Sequence, residues 1–171
     1  HRAAHRSNKA GRRDVARVAE ATNGARHPDD LLCLSDEQLC GLGLSRRKAE
    51  YCRGLAEALQ CGRLKLAALR HQSDEQVIAA ITALKGFGRW SAQMYLIFAL
   101  GRPDVWPRDD LGVQTGLARI KGLNERPRGE LFEQLGEPWR AYRSTVALLC
   151  WRYLANAPME QRDFRRRESC A

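Results

Sequence analysis

Two short stretches, with twenty residues from Trp90 to Asp110, hold side chains whose types and spacing could do chemistry. The first reads Leu84-Lys85-Gly86-Phe87-Gly88-Arg89-Trp90-Ser91-Ala92. Glycines at 86 and 88 allow positive φ and let backbone come close to a ligand. A turn of this kind, leading into a helix near Arg89, exposes free N–H groups at the positive end of the helix dipole, which suits one phosphate oxygen. Lys85 and Arg89 add charge. The second stretch, Asp109-Asp110-Leu111-Gly112-Val113, sets a carboxylate at the start of the next helix. Together the two pieces point to a chain that holds DNA and breaks a bond in it.

Each of these residues also has an ordinary structural reading. Gly-x-Gly is common in αα-turns. Trp90 and Trp151 could simply fill a core, and aspartate is a frequent N-cap, a role that Asp109 fits better than Asp110. Leu39-Cys40-Gly41-Leu42-Gly43 echoes the Leu-x-Gly-x-Gly of 84–88 and is read as a plain helix–helix turn.

The paired pattern Leu-x-Gly-x-Gly-x-Trp-Ser-Ala followed by Asp-Leu-Gly-Val resembles the helix–hairpin–helix superfamily of DNA glycosylases. Within it the chain looks most like the 3-methyladenine DNA glycosylase II family, over Pro28 to Tyr153. The resemblance implies an all-α fold, an orthogonal helical bundle, and excision of alkylated bases. Asp110 is the implied catalytic residue. Base excision proceeds through a sugar with oxocarbenium character, and a carboxylate beside C1′ stabilises that cation and orients water. Trp90 stands where lyase-active relatives carry a catalytic lysine. Without an amine no Schiff base forms, so the implied enzyme is monofunctional. Trp90, Trp151 and Met94 are the implied base pocket. The two indoles would sandwich an extruded base, favouring a cationic ring by about 1–2 kcal/mol. Lys85, Gly86, Phe87, Gly88, Arg89 and Ser91 are the implied DNA-facing residues.

Extrusion of the target nucleotide also needs a wedge. In the corresponding stretch, Ala4 to Ala10, Arg6 stands where an apolar wedge is usual, and it joins the DNA-facing set. Trp139, Tyr142 and Arg143 resemble a run that packs before the last helix, with Arg143 close to DNA. No cofactor is expected beyond a monovalent cation on the hairpin's backbone carbonyls, and no metal on side chains. The expected partner is double-stranded DNA, bound by a monomer. The competing reading is a non-catalytic helix–hairpin–helix DNA-binding module.

The bulk composition agrees with a polyanion partner. In 171 residues, 29 Lys and Arg oppose 20 Asp and Glu, for a formal charge of +9, an electrostatic footprint for nucleic acid. No apolar run is long enough to span a membrane, and no signal peptide is visible. The six cysteines form no Cys-x-x-Cys pair, and such scattered thiols fit a reducing cytoplasm; with DNA as the expected partner, the expected location in a bacterium is the nucleoid. Cys33, Cys52 and Cys150 fall among apolar neighbours and are read as buried small hydrophobes.

The elements that must position the site read as helical almost throughout, because Ala, Leu, Arg, Glu and Gln dominate and nothing alternates with period two. Capping boxes Ser35-Asp36-Glu37-Gln38 and Ser73-Asp74-Glu75-Gln76 start helices ending at Gly41 and Leu84. Ser45 caps a helix over 46–60. Further helices are predicted over 90–100, from Asp110 to 120, over 127–135 and over 139–154, and the apolar 90–100 helix is expected at the centre of the core. Residues 1–27 read as a degenerate or truncated N-terminal segment, 28–157 as the glycosylase domain and 158–171 as a basic tail.

Overall fold

The computed structural model describes residues 16–22, 24 and 27–156. Arg6 and the basic segment 158–171 lie outside the described residues, as does most of 1–27. Every regular element among the described residues is helical. The chain divides into two compact units, His1–Arg89 and Trp90–Ala171.

In the first unit, α1 contains residues 16–21 and α2 is Pro28–Leu32. They are followed by α3 (Asp36–Gly41), α4 (Arg46–Gln60), α5 (Leu66–Leu69) and α6 (Asp74–Thr82). The local capping signals act as read. Ser35 and Ser73 each accept from the N–H three residues on, and Gln38 and Gln76 bond back to the cap N–H. Ser45 accepts from the Lys48 N–H and fixes the start of α4. The ends of α3 and α4 fall where expected, but α6 stops at Thr82, two residues short of Leu84. Of the short helices, α5 has no side-chain cap, whereas α2 opens with Pro28 and the His27 N–H donates to Asp30 Oδ2 at 3.2 Å.

A small core of Leu39, Leu44 and Ala49 gathers Val18, Leu31, Leu34, Leu42 and Cys52 around it. Arg53 ties α4 to the segment before α3, donating to the Leu34 carbonyl at 2.5 Å and to Asp36 Oδ1 at 3.0 Å. Cys33 is exposed rather than buried, and Cys52 is half-buried. The two Leu-x-Gly-x-Gly turns are not equivalent. Of their glycines, the second of the early turn (Gly43, φ 104°) but the first of the later one (Gly86, φ 89°) is left-handed.

In the second unit, α7 (Arg89–Phe98), entered from the first unit, leads to a long loop and α8 (Leu111–Ile120). α9 (Gly129–Gly136), a 3₁₀ turn (Glu137–Trp139) and α10 (Arg143–Asn156) follow. The core is Trp106, Val113, Leu117, Phe132, Ala147 and Cys150, all at most 6% exposed. Trp106 stacks on Phe132 at 4.5 Å between ring centroids. α8 and α10 meet at Gly116, where an added Cβ would fall 2.6 Å from the Cys150 carbonyl oxygen, so only glycine permits this approach.

The last helix starts at Arg143, not Trp139. Pro138 sits in the 3₁₀ turn, and Ala141 adopts φ 74°, a conformation that breaks helical continuity before α10 begins. Arg143 is held by Asp104 through two bonds of 2.6 and 2.9 Å. Tyr142, expected to pack, is exposed.

Candidate active site

Asp110 sits at the hinge between the long loop and α8. Its N–H donates to the Pro107 carbonyl at 3.0 Å, closing a turn. Its extended backbone (φ −81°, ψ 109°) is that of an N-cap. Oδ1 accepts from the Val113 N–H at 2.7 Å. Asp110 therefore caps α8 itself, and Asp109, which fitted that role better on sequence, is exposed in the loop one position too early.

Capping uses only part of the carboxylate. The Trp151 indole Nε1 also donates to Oδ1, at 2.9 Å, and the Trp90 indole Nε1 donates to Oδ2 at 2.7 Å. Three elements thus converge on one side chain: α7 through Trp90, the head of α8 through Asp110, and α10 through Trp151. Asp110 is only 8% exposed, and burying a carboxylate is costly unless hydrogen bonds replace its water. Two indoles and a backbone amide supply that replacement and fix the plane of the carboxylate. Gly112 makes room for it. A Cβ there would lie 2.9 Å from Trp151 Cδ1 and 3.0 Å from Asp110 Oδ1. Behind the acid, burial first and then the charge of Asp110 push the Cys150 thiol up to about 12, so it stays protonated and is no nucleophile.

The outer side is aromatic and open. Trp90 is 50% exposed and Phe98 64% exposed. Phe98 stacks on Trp151 with 5.6 Å between centroids and 24° between planes. Ala92, Gln93, Leu96 and Ile97 are buried, but the expectation that α7 lies at the centre of the core fails at both of its ends. Met94 lies half-buried between them on the same helix. An open aromatic surface adjoining a buried carboxylate suits a flat ligand carrying a sugar.

The hairpin belongs to the first unit. The Phe87 N–H donates to the Leu84 carbonyl at 3.1 Å and closes the turn. Gly86 is left-handed, and a Cβ on it would meet the Tyr51 ring at 2.3 Å. Gly88 does not use positive φ, and a Cβ there would meet nothing within 4 Å among the described residues. The two glycines therefore differ: the first is required by packing and the second leaves open space. Lys85 Nζ donates to Glu50 Oε1 at 2.5 Å, and this bond holds the lysine above its ordinary value. Both partners are exposed, so the pair is weak and a phosphate can compete for the lysine. Gly88 and Arg89 are exposed, and Phe87 and Ser91 are half-buried.

Residues 7–141 match the profile of the HhH-GPD superfamily base excision DNA repair proteins. The chain belongs to the HhH-GPD superfamily. A Bacillus subtilis protein provisionally named DNA-3-methyladenine glycosylase is 32% identical over 125 residues, covering 73% of this chain and 44% of that protein. DNA-3-methyladenine glycosylase 1 of Schizosaccharomyces pombe is 30% identical over 126 residues, covering 73% of this chain and 55% of its own length. The chain thus spans about half the length of these curated relatives. Among solved structures, a DNA-3-methyladenine glycosidase from Bacillus halodurans superposes with a TM-score of 0.77 at 33% identity, over 94% of this chain and 75% of that one. The Schizosaccharomyces pombe 3-methyladenine DNA glycosylase in complex with abasic DNA superposes with a TM-score of 0.71 at 29% identity, over 77% of this chain and 64% of that one.

For this HhH-GPD chain, Trp90, Asp110 and Trp151 are brought together as hydrogen-bonded partners, while Met94 touches none of the three by any polar bond. Sequence reasoning overlooked Gly112, Phe98 and Tyr51. The signal for Gly112 was available in Asp-Leu-Gly, but its partner Trp151 lies 39 positions further on. Among the described residues no cluster of three or more His, Cys, Asp or Glu could hold a metal, and no helix is long and apolar enough to cross a membrane.

Proposed function

We propose that this chain acts as a monofunctional DNA glycosylase of the 3-methyladenine type II class, hydrolysing the N-glycosidic bond of alkylated bases in duplex DNA. The observation that carries the proposal is the buried Asp110 carboxylate, aimed by two indole N–H groups beside an open aromatic surface, in a chain of a base-excision superfamily. Bond breaking leaves the C1′–N electron pair on the departing base. An alkylated purine already carries positive charge, so it leaves neutral and its charge passes to the deoxyribose. Asp110 stabilises that cation, water adds at C1′, and the water's proton passes to the carboxylate or to solvent. A leaving group of this kind needs no acid catalyst.

Trp90, Trp151 and Phe98 supply faces on which a cationic base can stack. Trp90, at the position where lyase chemistry needs an amine, leaves the abasic strand uncut. The hairpin N–H groups, with Lys85 and Arg89, hold the DNA backbone, and the chain works as a monomer. The turn also offers main-chain oxygens around Gly86 that suit a monovalent cation, which would brace the turn when bound. The test is incubation with N-methylated duplex DNA. Released 3-methyladenine, with strands intact until alkali is added, is the expected result. Salt-dependent DNA binding without base release would leave a DNA-binding module. Strand cleavage without alkali would refute monofunctionality.

A further inference from the structure

The loop that delivers Asp110 is tied from two sides by buried amides. Gln93 Nε2, on α7 one turn beyond Trp90, donates to the Trp106 carbonyl at 3.2 Å. Gln114 Nε2, on the first turn of α8, donates to the Arg108 carbonyl at 2.6 Å. Both side chains are deeply buried, at 3% and 5% exposure, and in each the amide oxygen has no partner among the described residues. A buried acceptor left without a partner is unfavourable. A residue chosen for stability alone would be apolar at such positions. Retaining an amide makes sense where its donor is needed at one carbonyl.

The two carbonyls bracket Pro107, whose own carbonyl accepts the Asp110 N–H at 3.0 Å. Gln93 and Gln114 therefore clamp the turn that sets the height of the carboxylate against the Trp90 and Trp151 indoles. Ser144 anchors the earlier part of the loop, accepting from the Val105 N–H at 2.9 Å and donating to the Arg102 carbonyl at 2.6 Å. Besides the amides, the stretch from Trp106 to Asp110 is held by its own turn bonds, by the Trp106 indole N–H donating to the Phe132 carbonyl at 3.0 Å, and by the bonds that Asp110 accepts; the amides are what grip the two carbonyls beside Pro107.

We infer that Gln93 and Gln114 are positioning residues for Asp110, acting through the Trp106 and Arg108 carbonyls. The inference rests on the base-release reading of Asp110 for its kinetic consequence, but not for its structural one. Gln93→Met and Gln114→Met each remove the donor and the unpartnered acceptor together while keeping side-chain length, so the melting temperature should move little. Single-turnover base release from methylated duplex DNA should fall roughly tenfold or more per variant, since small misplacements of a catalytic group are costly. Affinity for a duplex containing an abasic site should stay within about twofold. The indole Nε1–H resonances of Trp90 and Trp151 should shift in both variants, because those protons report the carboxylate's place. Should a Met variant fail to fold, Gln93→Asn or Gln114→Asn, whose shorter amide cannot reach the carbonyl, takes its place. Folded variants with unmoved indole resonances and wild-type release rates would overturn the inference. If the wild type releases no base, the glycosylase reading fails, and the indole resonances alone decide whether the amides position Asp110.

Discussion

The hairpin and the Asp110 site are built by opposite means. The hairpin is an exposed turn whose shape comes from backbone: a left-handed Gly86 seated on the Tyr51 ring, and one N–H bond from Phe87 to Leu84. One of its charged residues, Lys85, is held by an exposed pair with Glu50. The Asp110 site is buried, and its shape comes from side chains reaching across 20 and 41 residues of sequence. On the proposed function, a turn that accepts a phosphate at any sequence position benefits from sequence-independent backbone donors, and a carboxylate that meets one sugar carbon benefits from fixed, dry, directional bonds. The difference teaches that affinity and chemistry in this chain should respond to different mutations.

Among changes that leave Asp110 itself in place, Gly112→Ala should break the second region most severely. Its Cβ would press on Trp151 and on Asp110 Oδ1, and base release should fall on the order of a hundredfold while DNA affinity holds. Unchanged single-turnover rates would show that the indole approach is not needed. Gly86→Ala should have the converse signature. It drives a Cβ into Tyr51 at a left-handed position, and affinity for duplex DNA should drop roughly tenfold, the loss of about one charge-assisted bond. The rate at saturating enzyme should be kept; a lower rate at unchanged affinity would merge the two regions' roles. Fluorescence anisotropy titrations and single-turnover assays separate these outcomes.

A smaller effect sharpens the contrast through pH. The Arg143 hydrogen bond holds the Asp104 carboxyl below its ordinary 3.8, with the charge of Arg143 adding to it. A depressed folded value means that the stabilisation is present above that ordinary value and lost as pH falls through the folded one. Wild type should therefore melt higher than Asp104→Asn at neutral pH, and the gap should close below about pH 4. A gap that persists in acid contradicts the assignment. The smallest effect expected is that of Gly88→Ala. Its Cβ has open space and its φ is ordinary, so melting temperature should be unaltered and any loss of DNA affinity would mark backbone approach of the ligand at that residue.

What could be read in the sequence was what is local. Ser35, Ser45 and Ser73 each cap through a bond to the N–H three residues on, so the starts of α3, α4 and α6 were legible. So was a helix headed by Asp110, although Asp109 seemed the better cap. The start of α10 was not, because no rule of spacing forces Ala141 to φ 74°. Trp90 and Trp151 could be named from motifs, yet their bonds to one carboxylate depend on helix packing that no local pattern encodes. Phe98 misled for a related reason. An apolar helix reads as buried all round, and only the folded unit shows that Phe98 stacks on the open side of Trp151.

If the Asp110 charge performs the chemistry, Asp110→Asn should abolish most of it. The substitution keeps size but removes the charge, and sets an amide NH₂ against one of the indole or backbone donors. Single-turnover release of 3-methyladenine should fall by roughly 100- to 1000-fold, with affinity for abasic-site duplex close to that of wild type. Equal release by a folded Asp110→Asn protein and by wild type would contradict the account.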